Sequence, residues 1–276
     1  MSIYSPRNVM KTQSPNIDGI FIKKQFGQHF LRDQSVINTI LDAVTLTPTT
    51  SIFEIGCGDG FLTRSILKNP CARLCVFEID PDWAAYVQTH YADPRLTIFT
   101  ENILEIHFAE RLKEFQPWTL LANLPYQITF PLLFMLHNNR ALLREGVIMV
   151  QEEVAHKLLK TSGRDYGFVS IFFQHYFTWQ SLQTIPPAAF FPPPKIHSRL
   201  LHFVPKAVTP EIPQEALFWK FIKSCFARPR RTLRNNLSAT PYAERAAQLG
   251  FSDTLRAQEM TFEDFLDLWK KVNPQL

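Results

Sequence analysis

The chain has 276 residues and a formal charge of +4 at pH 7, and 46% of its residues are apolar, including 24 phenylalanines. This length exceeds one average domain and the apolar content can fill a sizeable core, so we expect one large domain with a small appendage. No apolar run reaches the roughly 18 residues of a membrane span, and no signal peptide is apparent. We therefore expect no membrane association and a reduced, cytoplasmic setting.

Positive charge is concentrated in two stretches of the chain. Residues 1–32 hold five Lys or Arg against one Asp, and residues 219–238 hold six with no acid. The six are Lys220, Lys223, Arg228, Arg230, Arg231 and Arg234. Two basic clusters in a nearly balanced chain favour a polyanionic partner, with a solvated helix face as the alternative for the second cluster.

The four cysteines show neither paired CxxC spacing nor a partnering histidine pattern. They are Cys57, Cys71, Cys75 and Cys225. We therefore expect no zinc site, and indeed no metal, and interpret Cys71 and Cys75 as small core residues of one strand-like segment.

The chain begins with a stretch that lacks periodicity. Residues 1–20 mix Ser, Pro, Asn and Lys, and we expect them to be poorly ordered. The following KKQFGQHFL contains Gly27, which permits close backbone approach, and two polar residues, Gln28 and His29, between phenylalanines. From the suitable N-cap Asp33, the apolar spacing through Val44 predicts a helix.

A glycine-rich turn follows the first clear strand. Residues 51–55 (SIFEI) predict a buried strand, GCGDG follows at once, and helical spacing resumes over 61–67. The turn reads GxGxG, which suits a ligand bearing a carboxylate better than a pyrophosphate. The next predicted strand, 74–79, contains Glu78, 22 residues after Gly56, where an acid can bind ribose hydroxyls. Together these features favour a nucleoside-containing cofactor over a structural turn.

The third and fourth predicted strands also end in polar residues. Residues 96–100 lead to Glu101 and Asn102, which are suitably placed for an adenine rim. The fourth strand runs into LLANLPY, which ends at Tyr126. Asn123 supplies a neutral carbonyl acceptor, a backbone carbonyl of Leu124 or Pro125 supplies another, and the Tyr126 ring offers a stacking face. This set suits alkyl transfer to the exocyclic amine of a nucleobase, although a strand end followed by a simple proline turn is equally compatible with the tetrapeptide.

The remaining predicted elements alternate between strands and helices and then become helical throughout. Strands are predicted over 146–151, 177–185 and 199–204, and helices over 152–159, 168–174, 217–226, 230–237, 242–249 and 262–272. The glycine-flanked loop around Tyr166 is predicted to form a mobile rim. In FFPPPKIHS the prolines form either a stiff connector or a support that presents Phe190 or Phe191 together with Lys195. The proline-rich stretch 205–213 marks a domain boundary.

Taken together, these motifs resemble those of the bacterial ribosomal RNA adenine dimethyltransferases of the KsgA/RsmA type. The resemblance runs from about residue 23 to 272 and is carried by GQHFLRD, EIGCGDGFLT, NLPY, QEEVA, the YG of RDYGFVS, FFPPPKIHS and TLRNNL. It implies an α/β, Rossmann-like class I methyltransferase fold with a seven-stranded, mostly parallel sheet and a small all-α C-terminal domain. The expected division is residues 1–20 disordered, 21–205 the S-adenosylmethionine-dependent domain, and 206–276 a helical RNA-contacting domain.

The resemblance also implies an activity, a cofactor and partners. The implied activity is S-adenosylmethionine-dependent N6,N6-dimethylation of two adjacent adenines, without a metal. The implied partner is the small ribosomal subunit with its 16S rRNA, and the implied oligomeric state is a monomer. The residues implied to bind the methyl donor are His29, Leu31, Gly56, Glu78, Asn102 and Asn123. Catalytic roles are expected for Asn123, Leu124, Pro125, Tyr126 and Phe190, and RNA contacts for Lys195, Lys223, Arg228, Arg230, Arg231 and Arg234.

Two positions depart from the family pattern, and three other functions stay open. The residue at the end of the third strand is commonly Asp but is Asn102 here, and the basic motif reads ARPRRT with Pro229 in place of a cation. The alternatives are a large-subunit adenine methylase of the resistance type, a ribosome-assembly or RNA-binding factor whose methylation is dispensable, and a small-molecule methyltransferase, which the two basic clusters disfavour.

Overall fold

A computed structural model describes residues 15–114 and 116–273. Its strands are Asn16–Ile17 (β1), Ile20–Phe21 (β2), Phe30–Leu31 (β3), Ser51–Ile55 (β4), Arg73–Phe77 (β5), Leu96–Phe99 (β6), Trp118–Asn123 (β7), Leu143–Gln151 (β8), Phe177–Ile185 (β9), Phe190–Phe191 (β10) and Ser198–Pro205 (β11). Its α-helices are Gln34–Asp42 (α1), Phe61–Leu67 (α2), Pro81–His90 (α3), Phe108–Arg111 (α4), Thr129–Asn138 (α5), Glu152–Leu159 (α6), Phe168–Tyr176 (α7), Glu215–Cys225 (α8), Leu233–Leu237 (α9), Ala243–Gln248 (α10) and Phe262–Val272 (α11).

Seven strands form one sheet in the order β6-β5-β4-β7-β8-β11-β9. The five strands from β6 to β8 pair in parallel, and β11 pairs antiparallel with both β8 and β9. The predicted seven-stranded, mostly parallel α/β fold is therefore confirmed. From β4 the chain extends to one side through β5 and β6 and then crosses to the other side at β7. This reversal creates a crevice at the carboxyl ends of β4 and β7, which is where open α/β sheets bind ligands.

Both faces of the sheet are covered, so its strands alternate between two cores. Phe53 and Ile55 of β4 pack in one core together with the C-terminal helices, whereas Ile52 packs in the other core with α1 and α2. All five residues of β4 are buried, as expected for a central parallel strand. Helix α1 begins as predicted at Asp33, whose side chain accepts a hydrogen bond from the Ser35 backbone at 2.9 Å.

The C-terminal helices α8 to α11 pack directly on the sheet-bearing part of the chain. Trp219 of α8 donates to the Tyr176 hydroxyl of α7 at 2.9 Å, and Tyr176 in turn donates to Glu215. Phe218 and Phe265 lie in the same continuous core as Phe53. The helical region thus shares its core with the sheet-bearing region. The predicted division at residues 205 and 206 stays a prediction.

Two expectations about local order need correction or restriction. Residues 1–14 lie outside the described residues, but residues 16–21, part of which fell in the segment predicted to be poorly ordered, form the hairpin β1–β2. Tyr166, predicted to lie on a mobile rim, is instead buried and packs edge-on against Phe226 at 5.9 Å, so its place on the rim was wrong, whereas the mobility of the loop stays a prediction. The contact joins residues 60 positions apart, which local glycine content does not reveal.

The cysteines lie in the environment that the sequence predicts for two of them. All four cysteines are free and buried, which is the core environment expected for Cys71 and Cys75. In the part of the chain that the structure describes, no helix is both long enough and apolar enough to cross a membrane.

Candidate active site

A cavity of about 280 Å³ lies at the carboxyl ends of β4, β5 and β7. It is lined mainly by residues 25–31, 54–59, 77–79, 101–104 and 123–128. These segments include every residue that the sequence assigned to the methyl donor, and also Leu124, Pro125 and Tyr126. The structure therefore brings the predicted donor and NLPY residues to one place. Phe190 and the basic residues lie outside this lining.

The glycine turn has the open backbone that its sequence predicts. Gly56 has φ +73° and its N–H donates to the Phe77 carbonyl at 2.8 Å, which ties the turn to β5. Gly58 has φ +51°, and a Cβ there would lie 2.8 Å from the Phe30 ring. Only glycine combines that conformation with that close approach. The turn therefore leaves its space to a ligand and to the segment that carries Phe30.

Glu78 lies at the end of β5, as predicted, and is held by backbone donors. Its carboxylate accepts from Gly58 N at 3.1 Å and from Asp80 N at 2.9 Å. Burial raises the pKa of Glu78, although both backbone hydrogen bonds act in the opposite direction. A fixed carboxylate facing the cavity is suited to accept hydrogen bonds from a pair of hydroxyl groups.

Sequence analysis missed Glu54, which lines the same cavity from β4. The residue is 1% exposed, and its Oε2 accepts from the Thr63 hydroxyl at 2.7 Å. Burial, with smaller contributions from Glu78 and Asp59, raises the pKa of Glu54 to about 8. The signal was present in the sequence as an acid in a strand of mainly apolar residues, two residues before Gly56 of the glycine turn.

Asn102 and Glu101 lie at the edge of the cavity after β6. The Asn102 side chain accepts from Leu104 N at 3.1 Å and donates to Glu105 at 2.7 Å, which fixes a tight turn. Glu101 is paired with Arg111 at 2.7 Å. Both side chains are therefore engaged within the chain, Asn102 in the turn and Glu101 in the ion pair, so the structure does not separate them as the polar group beside a ligand.

Asn123 ends β7 with its amide orientation fixed by a distant segment. Its Nδ2 donates to the His29 backbone carbonyl at 3.2 Å. Because a carbonyl only accepts, the amide nitrogen must face His29 and Oδ1 must face away from it. Oδ1 makes no hydrogen bond with any residue that the structure describes. A neutral acceptor is therefore presented in the cavity.

The two backbone carbonyls that were candidates for the second acceptor differ. The Pro125 carbonyl accepts from Ile128 N at 3.2 Å as the turn closes. The Leu124 carbonyl accepts no hydrogen bond from the described residues, while Leu124 N donates to Met149 O at 3.3 Å. The structure thus leaves Leu124 as the available acceptor and assigns the Pro125 carbonyl to the turn, where the proline ring also fixes the backbone.

Tyr126 and His29 form the aromatic side of the cavity. The Tyr126 hydroxyl lies 2.7 Å from Ser198 Oγ, which anchors the phenol to β11. The His29 ring lies nearly parallel to the Tyr126 ring, at 6.0 Å between centroids and 27° between planes. His29 Nδ1 also lies 2.7 Å from the Pro192 carbonyl. His29 therefore connects the NLPY turn to the FFPPPKIHS segment.

The structure places the predicted aromatic Phe190 differently from the exposed Phe191. Phe190 is 4% exposed and packs in the core, whereas Phe191 is 42% exposed. The two belong to the short extended strand β10, so they point to opposite sides. While Phe190 keeps this position it cannot stack on an incoming base, and Phe191 is the aromatic side chain available on the surface. Lys195 is exposed.

The segment before β3 is held over the cavity by polar contacts. Lys23 Nζ lies 2.6 Å from Asp80 and 2.7 Å from Asp82, and Gln28 Nε2 donates to Asp80 at 2.8 Å. Arg32 pairs with Asp59 of the glycine turn at 2.8 Å. These contacts fix residues 23–32 against the carboxyl ends of β4 and β5.

The predicted RNA-contacting residues separate into available and engaged side chains. Arg228, Arg230 and Arg231 are exposed in the loop between α8 and α9. Arg234 pairs with Asp253 at 2.6 Å, and the Lys223 ammonium lies 4.7 Å from the centre of the Phe168 ring. Helix α9 starts at Leu233, after the inserted Pro229. The helix therefore starts three residues later than the predicted start at residue 230.

The loop carrying the three exposed arginines is fixed from below by Asn236. This buried side chain accepts from Arg228 N at 3.1 Å and donates to Cys225 O at 2.7 Å and to Arg228 O at 3.2 Å.

Within the described residues, no group of three or more His, Cys, Asp or Glu could hold a metal ion.

Comparison with known proteins supplies independent findings. The model of the family described as Ribosomal RNA adenine dimethylase matches residues 20–273. A Methylobacillus flagellatus protein named Ribosomal RNA small subunit methyltransferase A is 35% identical over 249 residues, which is 88% of this chain and 95% of that relative.

Two solved structures share the fold at low sequence identity. A dimethyladenosine transferase from Plasmodium falciparum has a TM-score of 0.70 at 21% identity, covering 88% of this chain and 96% of its own. The 23S rRNA methyltransferase ErmE has a TM-score of 0.67 at 21% identity, covering 88% of this chain and 99% of its own. At this level of sequence identity, the two structures show only that the fold is shared.

Proposed function

The chain belongs to the ribosomal RNA adenine dimethylase family, and we propose that it dimethylates two adjacent adenines of small-subunit (16S) ribosomal RNA during ribosome biogenesis. It is an S-adenosylmethionine-dependent rRNA adenine dimethyltransferase, and we assign it to the cytoplasm as a monomer. The observation that carries the proposal is the oriented amide of Asn123, whose Nδ2 is bound to His29 O so that a neutral carbonyl faces the cavity beside Tyr126.

The residues of the cavity fit S-adenosylmethionine. The glycine turn lines the cavity with its backbone beside Glu54, where it would contact the amino-acid part of the donor. Glu78 is suited to the ribose hydroxyls and Asn102 to the adenine, while His29, Leu31 and Asn123 line the side nearest the NLPY turn. When bound, the donor supplies a methyl group on a positively charged sulfur, which is a good leaving group.

The chain's own groups prepare the acceptor amine. The amine lone pair of adenine is delocalised into the ring, so it must be localised before it can attack. Asn123 Oδ1 and the Leu124 carbonyl would each accept one amine hydrogen, which favours a pyramidal nitrogen and stabilises the positive charge that develops on it. Tyr126 would stack on one face of the extruded base. Because both acceptors are neutral, the amine keeps its nucleophilic lone pair and can release its proton to water after methylation.

We assign the RNA contacts to the exposed basic residues. Arg228, Arg230 and Arg231 project from a loop held by Asn236, and guanidinium groups suit phosphate oxygens. Lys195 adds an exposed cation in the FFPPPKIHS segment. Lys223 and Arg234 contribute charge although each already has a partner. Binding through several phosphates should weaken steeply as salt rises.

The main alternative substrate is large-subunit rRNA, and the fold does not decide between them because both solved relatives share it equally well. The 35% identity to a small-subunit methyltransferase favours the small subunit. The test is tritium transfer from S-adenosylmethionine to undermethylated small and large subunits in parallel, followed by nucleoside analysis. Dimethyladenosine from the small subunit alone is expected, and label confined to the large subunit would refute the assignment.

The role of Asn123 is tested by Asn123→Ala, with Asn138→Ala at the exposed end of α5 as matched control. Removing an oriented electrostatic group should lower turnover about a hundredfold or more, while donor affinity changes less. The control should retain full turnover. An Asn123→Ala enzyme with unchanged turnover on small subunits would remove this residue from the chemistry.

A dispensable-methylation role in ribosome assembly is tested with the same variant. If Asn123→Ala still binds immature small subunits and supports their maturation, the assembly role is primary. If maturation fails together with methylation, the chemistry is what the cell requires.

A further inference from the structure

Residues 23–29 form a strap that is held at the start of α3 by one buried carboxylate. Asp80 is 0% exposed, and its side chain accepts from Lys23 Nζ at 2.6 Å and from Gln28 Nε2 at 2.8 Å. The Gln28 amide also closes the strap on itself, because its Oε1 accepts from Lys23 N at 2.8 Å. The two ends of the strap are thereby joined to each other and to Asp80.

Apolar contacts hold the chain on either side of the strap, but not the strap itself. Ile22 and Phe30 are buried in a small cluster with Trp83 of α3, and the Phe30 and Trp83 rings lie 4.9 Å apart. Between them, the strap lines the cavity with residues 25–29, and none of its residues belongs to a hydrophobic core of the described chain. The position of the strap therefore depends on its polar contacts.

The strap also contacts the NLPY turn. The His29 carbonyl accepts from Asn123 Nδ2 at 3.2 Å, and a Cβ on Gly27 would lie 3.4 Å from the Gln127 side chain. The contact to His29 is what turns Asn123 Oδ1 away from the strap and toward the cavity. The orientation of this acceptor therefore depends on a carbonyl that directly follows Gln28, the residue bound to Asp80.

The charge of Asp80 is explained by the strap better than by the helix that Asp80 begins. Its side chain also accepts from Asp82 N at 3.2 Å and so caps α3, but asparagine is an equally good cap and carries no charge. A buried carboxylate is costly unless donors compensate it, and the strap supplies two of them. Asp80 lies outside the cavity lining, so it can act on a ligand only through other residues.

We propose that Asp80 is a positioning residue for methyl transfer, which holds the strap so that the His29 carbonyl orients the Asn123 amide. The inference rests on the proposed function, in which Asn123 Oδ1 accepts a hydrogen of the target amine. It adds a residue outside the cavity to those that determine turnover. Without the carboxylate the strap keeps its apolar ends, but the His29 carbonyl loses its fixed position and Asn123 spends less time in the productive orientation.

Asp80→Asn removes the carboxylate and keeps the surrounding contacts. The asparagine oxygen can still cap α3, and the backbone N–H that donates to Glu78 is unchanged. Its Nδ2 can only donate, however, so it cannot replace the carboxylate oxygen that accepts from Gln28. Because a hydrogen bond to a charged group favours its arrangement about tenfold, turnover should fall by that factor when donor and small subunits are both saturating.

The decisive measurement combines this variant with Asn123→Ala. If Asp80 acts through Asn123, then Asp80→Asn should change the turnover of the Asn123→Ala enzyme less than about twofold, because the group that it positions is already absent. Asp82→Asn is the matched control, since it removes only the exposed partner of Lys23, and it should leave turnover within about twofold of the wild type. Wild-type turnover in Asp80→Asn, or equal losses with and without Asn123, would overturn the inference.

Urea unfolding establishes that each variant is folded under the assay conditions. If Asp80→Asn does not fold, Lys23→Met replaces it, because it removes one strap donor and leaves the Gln28 contact and the cap of α3 in place. Turnover should again fall with Asn123 present and stay constant without it, and unchanged turnover in both backgrounds would overturn the inference. An Asn123→Ala enzyme with undiminished turnover would instead reject the proposed function, which separates the two claims.

Discussion

Replacing Glu54 with Gln should make the unliganded protein more stable at alkaline pH. The carboxyl lies within β4 at 1% exposure, its one hydrogen bond comes from Thr63, and burial raises its pKa to about 8. In the unfolded chain it titrates near 4.5. Above that pH, the folded protein must either hold a proton that the unfolded chain has released or bury a charge. A glutamine side chain fills the same space and needs neither to hold such a proton nor to bury a charge.

The sign and size follow from this pKa difference. A folded-state pKa above the unfolded value means that the stabilisation is full below about pH 4.5 and is lost as pH rises toward 8. Each pKa unit corresponds to 1.36 kcal/mol, so the wild type should lose roughly 3 kcal/mol between pH 5 and pH 8 from this residue. Glu54→Gln should remove most of that slope. The free energy of unfolding of the variant should therefore exceed that of the wild type at pH 8 and differ little from it at pH 5.

Urea unfolding of the unliganded protein at pH 5 and pH 8 measures the difference. Glu153→Gln is the control, because that carboxylate is exposed on α6 and only pairs with Lys157. Equal stability changes for Glu54→Gln at both pH values would refute the claim that a buried proton is being held. Destabilisation at pH 8 would show that Glu54 is charged and paired in the folded protein.

The same substitution should weaken donor binding. Glu54 lines the cavity, and its charged form would be favoured by the ammonium group of an amino-acid ligand, so Glu54→Gln should bind S-adenosylmethionine about tenfold more weakly at pH 8. Calorimetric titration checks this, and unchanged affinity would separate Glu54 from the donor. A residue that lowers stability and raises ligand affinity is a common compromise at binding sites.

Three other substitutions test separate parts of the site. Gly58→Ala should reduce donor affinity at least tenfold in calorimetric titration. The new Cβ would lie 2.8 Å from the Phe30 ring, and the backbone conformation at φ +51° alone costs a non-glycine residue about 1–2 kcal/mol. Unchanged affinity would contradict the close approach. Asn236→Ala should weaken binding of the small subunit about tenfold and reduce the salt dependence of that binding, because the arginine loop loses three hydrogen bonds. Turnover at a saturating concentration of subunits should be retained. A loss of turnover alone would count against this role. Phe191→Ala should lower turnover tenfold or more without loss of stability. Phe190→Ala should instead lower the free energy of unfolding in urea by about 3–5 kcal/mol. The reverse pattern would assign the base contact to Phe190.

Local sequence patterns predicted most of the secondary structure because each element has a local cause. The strand 51–55, the helix 61–67 and the helix 262–272 have the predicted bounds. In each, the apolar period and the terminal residues agree. The last helix is capped by Thr261, whose hydroxyl accepts from Asp264 N. The helix predicted from residue 230 starts instead at Leu233, because Pro229 lies in the preceding turn and Thr232 provides the cap.

The side chains around the site were less predictable than the elements that carry them. Phe190 and Phe191 are chemically identical neighbours, and only the pairing of β10 with β3 decides which one is buried. Arg234 looked equivalent to Arg231, but Asp253 pairs with it from a distant loop. Such differences arise from contacts between residues far apart in sequence, which neither composition nor periodicity encodes.

The orientation of Asn123 shows why residue type alone does not define a catalytic role. An amide offers two donors on one side and an acceptor on the other, so an asparagine at the end of β7 is compatible with opposite chemistries. The choice is made by His29, 94 residues earlier, whose carbonyl takes the amide nitrogen. With nitrogen thus engaged, the oxygen is the group presented to a ligand, and an amine rather than a carbonyl is the partner it suits. The role proposed for this site in methyl transfer therefore depends on a backbone atom of a neighbouring segment as much as on the asparagine itself.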